Sequence, residues 1–328
     1  MTGKVLNWGL LSTARINNAL IPPLRASKRS QLLAVGSRSQ ASADAYAKDK
    51  KIPRAYASYE ALLADPEIDV IYNPLPNHLH AEWTIKAVEA GKHVLCEKPL
   101  ALNVDEVDAI QSAARRQGRI VQEAFMYRHH KQTLEVQELV KNGSVGTLKL
   151  VRGSFSFVLS GDGDIRLNPS MGGGSIWDIG CYPISYARTV VGEDPLEVFG
   201  WQVTGPTGID ETFVGQMRFS NNVMAQFDCS FAIPFHSFME IIGSEATLNV
   251  PSPFKPTPNP KIYLTRNGKT EGFRIRGQEL YLGEVENMAD AILLGKEPRI
   301  SLEDSRANVQ AITSLLESAR TGKPVSCR

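Results

Sequence analysis

Two rhythms of apolar and polar positions divide the chain. Over residues 1–125 short apolar runs alternate with segments of helical spacing. VLNWGLL, QLLAVGSR, IDVIYNPLP, HVLCEKP and RIVQEAF predict strands, the second ending at Ser37-Arg38 and the third at Asn73-Pro74. ARINNALIPPL has helical spacing broken by Pro22 and Pro23, and ASADAYAKDK reads as an alanine-rich helix. HAEWTIKAVEAG predicts a helix closed by Gly91. NVDEVDAIQSAARRQG opens on an acidic turn and ends on Arg115, Arg116 and Gly118, matching the helix dipole at both ends. Strand-helix alternation of this kind predicts an α/β, doubly wound parallel sheet.

From about residue 147 the rhythm changes. TLKLVRGSFSFVL, EVFGWQV, ETFVGQMRF, VMAQFDCSF, FMEIIG, IYLT and GFRIR are strand-like, with little helix between them, and Asn221-Asn222 fits a hairpin turn. A second, α+β domain on a mostly antiparallel sheet is expected, so the boundaries are 1–125 and 126–328. Its first strands are separated by a loop and helix around GGGSIWDIGCYPISYAR. The Pro-rich VPSPFKPTPNP (250–260) reads as a surface loop. The amphipathic LEDSRANVQAITSLLESARTG is a C-terminal helix able to pack on either domain.

Composition adds limits. A length of 328 residues favours two cores over one. A formal net charge of +1 gives no support for nucleic acid or an anionic membrane as partner, and no apolar run is long enough to span a bilayer. The start, Met1 to Lys4, leads straight into the first strand, without the apolar stretch of a secretory signal. Cys96, Cys181, Cys229 and Cys327 are scattered, which reads as reduced thiols in a cytoplasmic protein. No metal is expected: His129-His130 and His78/His80 lack completing ligands at the right spacing.

The candidate chemistry sits at strand ends. Where a first strand enters a helix, backbone N–H groups can hold a pyrophosphate. Here Ser12, Ala14 and Asn17 occupy the three glycine places of the usual fingerprint. At the end of the second strand, Ser37-Arg38 replaces the acid that binds a ribose 2′-hydroxyl; a small residue followed by arginine suits the 2′-phosphate of NADP. Otherwise Arg38 is a solvated surface side chain. Asn73, Pro74 and His80 belong to the same edge, and His78 reads as a solvent-facing helix-start residue, which is also the alternative for His80. Lys98 follows a strand at this edge. Asp178 and Tyr182 are four residues apart, close to one helical turn, although Pro183 interrupts a continuous helix. Hydride transfer from an alcohol needs a group to take the hydroxyl proton. A lysine ammonium near a phenol favours the phenolate and makes tyrosine a competent base. The alternatives are a core tyrosine and, for Asp178, a helix cap beside Ser175.

The chain resembles the glucose–fructose oxidoreductase / inositol dehydrogenase / MocA family along essentially its whole length. The matching stretches are WGLLSTARI, YNPLPNHLHAEWTIKAVEAGKHVLCEKPLALN, GGGSIWDIGCY and ISLEDSRANVQAITSLLESARTGKPV. Tyr182, where many members have histidine, and VQEAFMYR are similar to the branch of dimeric dihydrodiol dehydrogenases and NADP-dependent D-xylose dehydrogenases. The resemblance implies an N-terminal Rossmann domain and a C-terminal domain whose large open sheet forms a homodimer or dimer-of-dimers interface. It implies Lys98 and Tyr182 as the acid/base pair, with Asp178 orienting the substrate or the chemistry. It places Ser12, Thr13, Ala14, Arg15, Ile16, Ser37, Arg38, Asn73, Pro74, Leu75, Asn77, His80, Glu97 and Lys98 near the cofactor. Tyr127, Arg128, Phe155 and Arg166 are candidate substrate contacts. The implied activity is an NADP(H)-dependent oxidoreductase on a sugar or cyclic diol, first an aldose (D-xylose-like) 1-dehydrogenase, with NAD as the weaker cofactor. Alternatives are a trans-dihydrodiol dehydrogenase, a sugar ketone reductase, an NAD-retaining glycosidase, or a non-enzymatic NADP-binding regulator.

Overall fold

The computed structural model describes residues 3–161 and 163–327. In chain order the first stretch runs β1 (Leu6–Leu11), α1 (Asn17–Ala26), β2 (Ser30–Gly36), α2 (Gln40–Lys50), β3 (Arg54–Tyr56), α3 (Tyr59–Leu63), β4 (Val70–Asn73), α4 (His80–Glu89), β5 (His93–Glu97), α5 (Val104–Gln117) and β6 (Val121–Ala124). It continues through α6 (Lys131–Lys141), β7 (Leu148–Ser156), α7 (Cys181–Val191), β8 (Glu197–Thr204), β9 (Asp210–Arg218), β10 (Met224–Ser230), β11 (His236–Gly243), β12 (Thr247–Val250), β13 (Lys261–Arg266) and β14 (Lys269–Arg274). Helices α8 (Leu282–Leu294) and α9 (Leu302–Thr321) and a short β15 (Val325–Ser326) close it. Two compact units result: Met1–Met126 with Tyr281–Arg306, and Tyr127–Leu280 with Ala307–Arg328.

In the first unit the six strands pair in parallel in the order β3-β2-β1-β4-β5-β6. The strand order turns back between β1 and β4, so the carboxyl ends of β1, β2, β4 and β5 share the edge where open α/β sheets bind ligands. The strands are apolar almost throughout because both faces are covered. Trp8, Leu10, Tyr72 and Leu95 pack in one core with Val285, Met288 and Ala289 of α8, so the late segment 281–306 completes the early domain. Arg29 fixes α8 from outside, its Nε donating to Glu286 at 2.9 Å and its Nη1 reaching Asp290 at 2.5 Å. Helix α5 carries the expected signals: Asn103 accepts from Glu106 N–H, and Gly118 takes the left-handed conformation at the far end.

The second unit is built on a nine-stranded, mixed sheet in the order β14-β13-β12-β11-β7-β10-β9-β8-β15. The pair β7–β10 is parallel and the others are antiparallel. Asn221 and Asn222, both with positive φ, join β9 to β10 as expected of a hairpin. Three local expectations are corrected. Helix α1 runs through Pro22 and Pro23 instead of breaking there, because burial of Leu20, Ile21, Pro23 and Leu24 holds it despite the lost N–H groups. Pro183 does not interrupt the helical path: a π-type turn, Ile176–Gly180, leads directly into α7, and Pro183 is the third residue of that helix. Residues 250–260 are not wholly a surface loop, since Phe254 is fully buried among other aromatic rings. The three-residue β3 and four-residue β12 are too short to show a periodicity in the sequence.

Candidate active site

The turns at the carboxyl ends of the parallel strands shape their shared edge. After β1, Ser12 takes φ +84°, a conformation usual for glycine, and its N–H donates to Gly36 O at 2.9 Å. Asn17, in the third glycine place, is buried and donates from Nδ2 to Ser12 O at 3.0 Å. The departure from glycine is thus compensated by a side-chain bond that fixes the turn. Thr13, Ala14, Arg15 and Ile16 form the tight entry to α1, with Asn17 N–H bonded to Ala14 O and Ala19 N–H to Ile16 O. Ser12 Oγ and Asn17 Oδ1 are buried without a hydrogen-bond partner among the described residues. The Ser12 hydroxyl, a free donor beside the N-terminus of α1, fits a site for a phosphate-bearing cofactor; Asn17 Oδ1 can only accept and does not face a phosphate as a donor.

After β2, Ser37 is buried and bonded through N–H to Tyr56 O at 3.0 Å. Arg38 is exposed, with no hydrogen-bond or ion-pair partner among the described residues, so its donors are available. After β4, Asn73 is consumed internally: Nδ2 donates to His80 O and to Thr84 Oγ1, both at 3.1 Å, and Oδ1 accepts from Leu75 N–H at 3.3 Å. His80 faces the interior, not solvent, with Nδ1 2.6 Å from Pro99 O and Nε2 2.6 Å from Leu75 O. A neutral ring can donate only one of these. The two carbonyls favour the cation, but burial outweighs them and pushes His80 down to about 4, with the Lys98 charge acting in the same direction. Asn73 and His80 therefore brace the segment Pro74–Asn77 against the turn that carries Lys98. Pro74 and Leu75 are buried, Asn77 is half-buried and His78 exposed.

Lys98 follows Glu97, the last residue of β5, and is half-buried; the Lys98–Pro99 peptide is cis. Glu97 accepts a short hydrogen bond from Tyr72 Oη of β4. Burial, with Glu97 and Glu284 nearby, drives the Tyr72 phenol well above its ordinary range, which makes it a permanent donor. The buried Glu123 of β6 accepts from Leu100 N–H at 2.9 Å and pins the far side of the Lys98 turn.

The candidates of the second unit gather around α7. A single π-type turn, Ile176–Gly180, precedes that helix and carries Asp178; Tyr182 is the second residue of α7. Tyr182 is 5% exposed. Its ring lies 5.3 Å from Phe155, 5.5 Å from Phe254 and 5.7 Å from Tyr127. Tyr127 Oη donates to Tyr182 O at 3.4 Å, and Arg128 Nη1 to Ser185 Oγ at 3.1 Å, so both serve to seat α7. Arg166 grips Asp164 with two arms, Nε at 2.9 Å and Nη2 at 2.7 Å, and its Nη1 is 3.6 Å from Asp178 Oδ2.

Asp178 is not a helix cap. Asp210, at the start of β9, fills that role: its Oδ2 accepts from Ser175 Oγ and from Ile176 N–H, both at 2.7 Å. Burial raises Asp210 to about 6 even though those bonds oppose the shift. The fit requires glycine: Gly174 has φ +130°, and a Cβ there would lie 2.2 Å from Asp210 Oδ1. Sequence reasoning missed Tyr72, Glu123, Asp210 and Phe254, because each acts through a partner distant in the chain. Among the described residues no group of three or more His, Cys, Asp or Glu is arranged to hold a metal ion.

Known proteins divide at the same place. Residues 6–125 match the model of an oxidoreductase family with an NAD-binding Rossmann fold, and residues 133–249 match the GFO/IDH/MocA C-terminal domain. A D-xylose 1-dehydrogenase (NADP(+)) from Haloferax volcanii is 37% identical over 323 residues, 97% of this chain and 98% of that one. A trans-1,2-dihydrobenzene-1,2-diol dehydrogenase from Danio rerio is 37% identical over 250 residues, 75% of each chain. The crystal structure of a 3-ketoreductase from Actinomadura kijaniata, in complex with NADP and TDP-benzene, superposes with a TM-score of 0.91 at 28% identity, covering 96% of this chain and 98% of that one.

Proposed function

The chain belongs to the GFO/IDH/MocA family of oxidoreductases, and from that premise we propose that it is an NADP(H)-dependent dehydrogenase of sugars or cyclic diols, first of an aldose such as D-xylose at its anomeric carbon. The observation that carries the reading is the edge of the parallel sheet, where Ser12 Oγ, Ser37, the exposed Arg38 and Lys98 lie just past the ends of β1, β2 and β5. In this reading Ser12 and the backbone entry to α1 hold a pyrophosphate on a turn that Asn17 fixes, and Arg38 meets the 2′-phosphate that distinguishes NADP from NAD. Bound NADP supplies the acceptor for the hydride leaving the alcohol carbon. Tyr182 is the group assigned to take the hydroxyl proton, Lys98 the cation assigned to favour its phenolate, and Asp178 the acceptor that orients a substrate hydroxyl. Phe155 and Phe254 keep water from the phenol's ring face, and Asp210 holds the turn on which Asp178 sits.

The reading carries a cytoplasmic homodimer, or a dimer of dimers, assembled through the second unit's sheet. What supports the dimer is one face of β8–β10, where Trp201 (60% exposed) stands opposite Val214 and beside Val203 (62%), with Met224 further along. A panel of aldoses, cyclic polyols and trans-dihydrodiols offered with NADP and with NAD, read by NADPH fluorescence, tests the function. The dihydrodiol arm also tests the runner-up, which the Danio rerio relative favours. NADP-linked turnover of an aldose is expected; no turnover across the panel with either cofactor sinks the reading.

A further inference from the structure

The relatives divide between enzymes named for small uncharged substrates and a 3-ketoreductase crystallised with TDP-benzene. A site built for a phosphorylated or nucleotide-linked sugar needs cations with free donors, because an unmatched anion beside carboxylates costs several kcal/mol. The second unit's candidate site is not built that way. Its prominent cation, Arg166, is enclosed on three sides. Asp164 takes Nε and Nη2 in a fork and also accepts Arg166's own backbone N–H at 2.9 Å, so the carboxylate is fixed from two directions. Asp178 lies 3.6 Å from Nη1. The guanidinium carbon sits 5.5 Å from the centre of the Phe157 ring. The side chains of Arg166, Asp164 and Asp178 are 33%, 25% and 18% exposed, so the cluster is partly withdrawn from screening water. The two carboxylates keep the Arg166 pKa above its ordinary value. Close packing holds the arrangement: Arg166 O accepts from Gly174 N–H at 3.0 Å, and a Cβ at Gly173 would lie 2.5 Å from that same oxygen. Lys255, the cation over the Phe155 ring at 6.0 Å, belongs to the aromatic cluster around Tyr182 and not to this fork.

We propose that this site takes an uncharged polyhydroxylated or diol substrate and rejects phosphorylated and nucleotide-linked sugars, with Arg166 and Asp164 as the specificity-determining pair. The inference rests on the reading that Asp178 and Tyr182 face the substrate. Hydroxyl groups donate to Asp178 without disturbing the pair, whereas a phosphate meets two carboxylates whose close cation is already engaged.

The test compares D-glucose with D-glucose 6-phosphate, which share a pyranose ring, as NADP-linked substrates of the parent and two variants. For the parent, kcat/KM is expected to be about a hundredfold lower for the phosphorylated sugar. Asp164→Asn removes one carboxylate charge from the guanidinium and should narrow that gap about tenfold. Arg166→Gln leaves two carboxylates uncompensated and should depress D-glucose turnover without selectively harming the phosphorylated sugar. Parent enzyme that handles both sugars within about threefold overturns the inference alone, as does an Arg166→Gln variant that loses only D-glucose 6-phosphate. NADPH formation from neither sugar, nor from D-xylose or a trans-dihydrodiol, fails the functional reading first and takes the inference with it.

Discussion

The sheet edge of the first unit and the α7 region of the second carry candidate chemistry in opposite ways. At the edge, the backbone does the positioning and side-chain atoms are left available: Ser12 takes a glycine-like turn, Asn17 ties its carbonyl, and among the described residues Ser12 Oγ has no partner while Arg38 is exposed. Around α7 the charged side chains are already committed to fixed partners. Arg166 is held by Asp164, Asp210 by Ser175 and Ile176 N–H, Arg128 by Ser185. The contrast is physical. A cofactor common to many enzymes is recognised by features any strand-turn-helix can supply, and its charged groups need open donors. A substrate is selected by a preorganised constellation whose own charges are balanced beforehand.

The largest effect should come from removing one reacting group on each side of this comparison. Lys98→Ala and Tyr182→Phe are each expected to lower kcat by about a thousandfold while leaving the NADPH dissociation constant within about tenfold, because each deletes proton-transfer machinery and not the phosphate cradle. Steady-state rates and NADPH fluorescence titration measure the two quantities separately. A Tyr182→Phe enzyme that keeps its rate and its pH profile would mean that another group in the second unit takes the proton.

A smaller effect isolates the edge. Arg38→Ala should raise KM for NADP by about thirtyfold and alter KM for NAD by less than about threefold, since the lost charge-assisted hydrogen bonds concern the 2′-phosphate only. Equal losses with both cofactors would show that Arg38 stabilises the edge in general, and the open-donor half of the comparison would fall.

The same contrast explains what could be read from the chain. Strand-helix alternation, the Ser37-Arg38 strand end and the lysine closing HVLCEKP are local signals, and each sits where expected. The supports were not local. Asp210 reaches Ile176 across 34 positions, Glu123 reaches Leu100 across 23, and Tyr72 meets Glu97 across 25. Phe254 was hidden in a stretch whose prolines read as exposed loop, although its neighbours in space are Phe155, Tyr182 and Tyr186. His80 reads equally well as a solvated helix start until Pro99 O and Leu75 O are seen on its two nitrogens. Side-chain patterning identifies an element; it does not say which distant carboxylate will close its first turn.

Assembly offers a third way to sharpen the comparison, because the open face of β8–β10 belongs to the second unit alone. Trp201→Glu places a charge among Val203, Val214 and Met224 and should weaken self-association by about thirtyfold, a cost near ~2 kcal/mol for losing a buried aromatic anchor. Sedimentation over a concentration series reads the change. A variant with the parent's mass at every concentration would place the interface elsewhere.

The smallest effect tests whether the second unit's charges are balanced at a cost. Asp210 ionises at about 6, above the ordinary carboxylate range, because burial penalises its charged form more than Ser175 and Ile176 N–H reward it. A carboxyl whose folded-state pKa is raised contributes stability that is fully present below its unfolded pKa of about 3.9 and is lost as pH rises through about 6. Asp210→Asn keeps an acceptor for Ile176 N–H and carries no charge to desolvate, so it escapes that loss. It should therefore be more stable than the parent at pH 8 by about 1 kcal/mol, seen as a few degrees in Tm, with the advantage shrinking as pH falls through about 6. Thermal melts of both proteins across that range decide it. If the difference in Tm does not change with pH, the Asp210 carboxylate is ionised without penalty, and the turn bearing Asp178 is held by geometry alone.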